Sequence, residues 1–167
     1  MPKFRGFSVV LQDVQNGTKT KRDVISRLCE LSLEKAVVAE EQYNHQEGSH
    51  IHIFYRLTSQ VHFSAQLKYW MKWWDHGRVQ VDQMYGEMHQ CCKYLMPHEG
   101  GKDKDHDPDP WFYPTRLIAV SPQQHADEWF HWFVSMPIAE YREISRAYCE
   151  RVVHAYTNYR QTVSLVE

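Results

Sequence analysis

Residues 50–52 read His-Ile-His, and the segment ahead of them, residues 35–43, reads Lys-Ala-Val-Val-Ala-Glu-Glu-Gln-Tyr. Side chains alternate along an extended strand, so His50 and His52 share one face while Ile51 and Ile53 take the other. Neutral imidazoles one strand repeat apart can close on a single divalent ion when an adjoining strand supplies a carboxylate. Glu40 and Glu41 stand at the end of such a strand. A plainer arrangement is a hairpin whose solvent face carries two half-exposed histidines, and the nearby carboxylates favour the metal-binding one.

The elements that must hold these residues can be read from periodicity. Residues 4–14 are β-branched and aromatic, as a first strand requires, and the turn Asn16-Gly17-Thr18 leaves Thr18 or Thr20 to cap a helix. In that helix Val24, Ile25, Leu28, Leu31 and Leu33 mostly keep helical spacing. Residues 35–43 and 50–58 form a hairpin through a turn marked by Gly48. Residues 62–75 follow as a helix whose stripe of Phe63, Leu67, Trp70, Met71 and Trp74 belongs in a core. Residues 77–85 alternate as a strand, and 86–97 form a helix stopped near Pro97. The polar run from His98 to Trp111 reads as a flexible loop and the segment after it as a last strand. Helices over 122–135 and 137–160 complete the chain; Tyr141, Ile144, Tyr148, Val152, Ala155 and Tyr159 keep helical spacing in the second. This order predicts an α+β fold, a central antiparallel sheet flanked by helices in the ferredoxin-like manner. Residues 1–120 form its core and 121–167 a helical extension packed on that core, within a single domain.

Bulk properties narrow the function. A length of 167 residues supports one sizeable core, and a net charge of −2 argues against holding duplex nucleic acid by a wholly basic surface. Aromatic residues make up 14% of the chain, enough to serve both packing and base stacking. The four cysteines form no Cys-x-x-Cys pair and read as reduced thiols of an intracellular protein. No apolar stretch approaches the ~20 residues needed to cross a bilayer, and the N-terminus lacks the apolar core of a secretory signal. No membrane association and no secretion by that route are expected.

Taken together, the first strand, the Glu-Glu…His-Ile-His hairpin and Tyr94 on a helix after the next strand resemble the HUH endonucleases, the nicking-and-joining domains of replication initiators in small single-stranded DNA viruses, rolling-circle plasmids and some transposases. The resemblance covers roughly residues 4–115, closest to parvovirus-like and circular single-stranded DNA viruses. It implies that His50 and His52 carry the metal, with Glu41, or failing that Glu40, as third ligand. Tyr94 is then the nucleophile, with Tyr85 in reserve. His98 stands four residues after Tyr94, where the family has lysine, and is a candidate helper for ionising the phenol. The implied ion is Mn²⁺ or Mg²⁺, although Zn²⁺, Ni²⁺ or Co²⁺ also suits such ligands.

The implied reaction is metal-dependent cleavage of single-stranded or hairpin origin DNA through a covalent 5′-phosphotyrosine, initiating rolling-circle or rolling-hairpin replication. A helicase domain following Glu167 and action in the host nucleus are further implications for a eukaryotic virus. Lys68, Lys72 and Lys93 are candidates for phosphate contacts, the alternative being solvated helix charges. Two other functions remain open: a non-catalytic nucleic-acid-binding module stacking bases on sheet aromatics such as Phe54, and a metal-dependent hydrolase with water as nucleophile.

Overall fold

The computed structural model describes residues 2–43, 47–96, 106–121, 124–137 and 146–166. Strands β1 (Lys3–Leu11), β2 (Leu33–Gln42), β3 (Ser49–His62), β4 (Val79–Gln83) and β5 (Trp111–Tyr113) form one sheet in the order β4-β1-β3-β2-β5. Each neighbouring pair is antiparallel. Helix α1 (Lys21–Leu28) connects β1 to β2 and α2 (Phe63–Met71) connects β3 to β4, which is the split β-α-β arrangement of ferredoxin-like folds with β5 added beside β2. The α+β class expected from the pattern of strands and helices is the class observed.

Local chemistry explains where the elements start and stop. The Thr20 hydroxyl accepts from the Asp23 N–H at 3.3 Å while the Asp23 carboxylate accepts from the Thr20 N–H at 2.8 Å, a reciprocal cap that starts α1. Between β2 and β3, Gly48 has φ of +114°, and a Cβ there would overlap the side-chain amide of Gln15. Helix α2 buries Trp70 but ends at Met71, and Met71, expected in the core stripe, is exposed. Trp74 reaches the core through the following turn, with its indole N–H donating to the Gln12 carbonyl at 3.0 Å.

The sheet is covered on both faces. On one, α1 and α2 pack Val24, Leu28, Trp70 and Trp74 over Phe7, Val9, Ile51, Ile53 and Tyr55. On the other, Val37 and Ala39 of β2 lie under Met88, Cys92 and Leu95 of α3 (Met88–Leu95), Ile118 and Ala119 of a 3₁₀ turn, Trp129 of α4 (Ala126–Ser135) and Val152 of α5 (Arg146–Val166). Glu34, the extra residue where the β2–β3 register shifts, is buried between Arg56, at 2.9 Å, and Arg151 of α5. That contact ties the last helix to the sheet.

Further expectations change: α1 ends at Leu28, so Leu33, expected on that helix, opens β2. The helix expected over 122–135 begins at Ala126, and the helix expected over 137–160 is seen as Arg146–Val166, with Tyr141 and Ile144 outside the described residues. The polar stretch after Pro97, read as a flexible loop, is anchored at its described end. The Asp107 side chain is buried and accepts the Glu40 N–H at 2.8 Å, so hydrogen bonds to the sheet do there what apolar burial does elsewhere. Among the described residues no helix is long and apolar enough to cross a membrane.

Candidate metal centre and nucleophile

The hairpin register decides which carboxylate meets the histidines. Glu41 pairs directly with His50, and Ala39 with His52, so Glu41, Ala39, His50 and His52 occupy one face of the sheet. Glu40 pairs with Ile51 and belongs to the opposite face. The Glu41 side chain is 0% exposed, and its Oε1 lies 3.8 Å from His50 Nε2 and 4.0 Å from His52 Nδ1. Its Oε2 lies 3.8 Å from Nδ1 of a third imidazole, His106. A carboxylate taken out of water at a cost of several kcal/mol is thus met by three groups that can be cations or neutral donors.

Each ring is placed by its surroundings. Ser8 Oγ on β1 lies 3.1 Å from His52 Nε2; with that nitrogen protonated, Nδ1 keeps its lone pair on the Glu41 side. His50 sits against the Tyr43 ring at 5.2 Å, and Tyr43 is held in turn by its hydroxyl's bond to Gln12 Oε1. His106 is delivered by Asp107. Besides the Glu40 N–H, the Asp107 carboxylate takes the Lys21 ammonium at 2.6 Å and the Asp109 N–H at 2.9 Å. Burial pushes the Asp107 carboxyl up, but these bonds together outweigh it and hold it below the ordinary value. Burial and the Asp107 charge push the Glu40 carboxyl up.

Among the described residues no group of three His, Cys, Asp or Glu side chains is closed to ion-binding geometry as it stands. Three imidazoles nevertheless face the two oxygens of one carboxylate, Glu41. Donors bound at ~2.1 Å around a tetrahedral ion stand ~3.4 Å apart, and the three carboxylate-to-imidazole distances of 3.8–4.0 Å are a few tenths of an ångström wider than that. Carboxylate oxygen and imidazole nitrogen suit a divalent ion from Mn²⁺ to Zn²⁺.

Tyr94 lies at the end of α3. That helix buries Met88, Cys91, Cys92 and Leu95 at i, i+3, i+4 and i+7, which leaves Lys93 and Tyr94 outside the core-facing stripe. The Tyr94 ring stands edge-on to His52, with centroids 5.9 Å apart, and to Phe54 at 6.5 Å, yet it is 49% exposed. Tyr85, in the β4–α3 connection, is 78% exposed. His98 lies outside the described residues. Burial pushes the Cys91 thiol to about 11 and the Cys92 thiol to about 12, so neither presents a thiolate near neutral pH.

The three lysines separate. Lys93 is exposed beside Tyr94, whereas Lys68 and Lys72 are exposed on and just after α2, across the sheet from the cluster. Sequence reasoning did not find His106, Asp107, Lys21 or Ser8. The signal for the first two was the Asp-Pro-Asp-Pro run at 107–110, whose residues build fixed turns as readily as mobile loops.

Compared with models of known protein families and with curated proteins, the chain matches none. The site's chemistry therefore has to follow from its own residues.

Proposed function

We propose that this chain is a metal-dependent, HUH-type endonuclease domain that nicks and rejoins single-stranded DNA at a replication origin. One observation supports the reading: Tyr94, a half-exposed phenol, stands against His52, which with His50 flanks buried Glu41, so a phenol, two imidazoles and a carboxylate share one face of the sheet. Glu41, His50 and His52 would hold a divalent ion, which would supply Lewis-acid polarisation of the scissile phosphate. Glu41 and the imidazoles provide the charge and donors to hold it. Ser8 keeps the His52 ring in orientation.

Tyr94 performs the covalent step. Its Oη attacks phosphorus as the phenolic proton leaves, the Tyr94 O–P bond forms and the P–O3′ bond breaks, and the departing 3′-oxygen takes a proton. The product is a 5′-phosphotyrosine and a free 3′-hydroxyl, which conserves the ester for rejoining. The proposal includes single-stranded or hairpin origin DNA as substrate, Mn²⁺ or Mg²⁺ as the working ion, a helicase domain in a longer protein, and host nuclei as the place of action.

The test is covalent capture. Incubated with Mn²⁺ and a pool of single-stranded and hairpin oligonucleotides, the protein should yield a DNA adduct of raised mass, and Tyr94→Phe should bind DNA and Mn²⁺ yet give none. An adduct peptide carrying Tyr85 would reassign the nucleophile. Cleavage without attached protein would make the chain a hydrolase using water, and binding without cleavage a nucleic-acid-binding module.

A further inference from the structure

The segment that returns to the sheet before β5 brings one histidine into the buried cluster, and that histidine is not random in its placement. His106 Nδ1 lies 3.8 Å from Glu41 Oε2, the same separation that His50 Nε2 keeps from Oε1. The His106 side chain is only 11% exposed. Its neighbour Asp107 is clamped at once by the Glu40 N–H, the Lys21 ammonium and the Asp109 N–H, at 2.8, 2.6 and 2.9 Å, and Lys21 also donates to the Asp109 carbonyl at 2.5 Å. Successive residues of β2 thus hold successive residues of the returning segment. Glu40 takes Asp107 through its backbone, and Glu41 faces His106 through its side chain. Pro108 and Pro110 restrict the backbone immediately after the clamp.

We propose that His106 is a fourth protein ligand of the Glu41/His50/His52 centre. The inference rests on the reading of those three residues as metal ligands and adds to it a different donor set, three imidazoles and one carboxylate. Such a set favours ions of borderline softness, Zn²⁺ or Co²⁺, over Mg²⁺. It also makes the ion a fastening for the stretch from His106 into β5, with Asp107 as a positioning residue.

The competing role for His106 is a counter-charge that balances buried Glu41, and the two roles predict opposite signs. A ligand strengthens ion binding, whereas a cationic imidazole competes with the ion for the carboxylate. Co²⁺ binding to the full chain, followed by calorimetry and by the visible absorption of the ion, separates them. His106→Ala should weaken Co²⁺ binding by more than the ~10–100-fold expected from loss of a supporting group, should change the absorption band, and should narrow the preference for Co²⁺ over Mg²⁺. Unchanged or tighter Co²⁺ binding in a variant folded by circular dichroism would overturn the proposal.

A measurement on the unmutated protein covers the case in which the variant misfolds. The Co²⁺-loaded parent should show three paramagnetically shifted imidazole N–H signals in proton NMR, and two would refute the fourth ligand. If His52→Ala abolishes Co²⁺ binding while His106→Ala leaves it intact, only the His106 assignment falls; if the parent binds no Co²⁺, the centre itself and the fourth ligand fall together.

Discussion

Glu41 and Glu40 are neighbours with the same side chain, and the sheet separates their roles. Glu41 is enclosed on the face that holds His50 and His52, whereas Glu40 faces away and uses its backbone N–H to hold Asp107. Glu41→Gln preserves the size of the side chain and removes its charge, so the expected effect is loss of ion binding rather than loss of fold. For the parent, Mn²⁺ at about 100 times its Kd adds ~2.7 kcal/mol, which raises Tm by roughly 5–10 °C in a protein of this size. Glu41→Gln should lose that rise and Glu40→Gln should keep it, as thermal melts with and without Mn²⁺ would show. A rise that survives Glu41→Gln but vanishes in Glu40→Gln would place the centre on the other face of the sheet.

Helical periodicity identifies the stripe that α2 and α3 bury, but not the face of the sheet that each helix covers. Lys68, Lys72 and Lys93 all lie off the buried stripes and look equivalent in the sequence. In the structure α2 packs over Phe7 and Tyr55 while α3 packs over Val37 and Ala39, so only Lys93 shares a face with Tyr94. Lys93→Ala should lower the slope of log affinity against log salt for a single-stranded oligonucleotide by about 1. Lys68→Ala and Lys72→Ala should keep the parent's slope. A lowered slope in either α2 variant, with Lys93→Ala unchanged, would put the DNA on the far side of the sheet from the cluster.

The two-sided cover of β2 sets the behaviour of the whole molecule. Trp129 is fully buried on the cluster's face of the sheet, and its indole N–H donates to the Val120 carbonyl at 3.2 Å. Arg151 reaches buried Glu34 from α5. The last helices are therefore part of the core. Trp129→Ala should cost ~3–5 kcal/mol, as large-to-small changes at buried tryptophans do, measured by urea unfolding. A loss under ~1 kcal/mol would mean that α4 packs only loosely and that the domain ends before it.

Local rules were enough for several features of this protein. A strand's two-residue period put His50 and His52 on one face, and the stop at Pro97 placed Tyr94 near the end of a helix. The turn ahead of α1 narrowed its cap to Thr18 or Thr20, and the structure has Thr20, paired reciprocally with Asp23. What only the tertiary structure decided depends on pairings between distant segments. The β2–β3 register chose Glu41 over Glu40, because a slip of one residue would exchange the faces. The packing of α2 and α3 on opposite sides sorted the lysines. His106 entered the cluster through one buried carboxylate, Asp107, finding a backbone N–H on β2; hydrophobic patterning cannot register such a contact, because the residues that make it are polar.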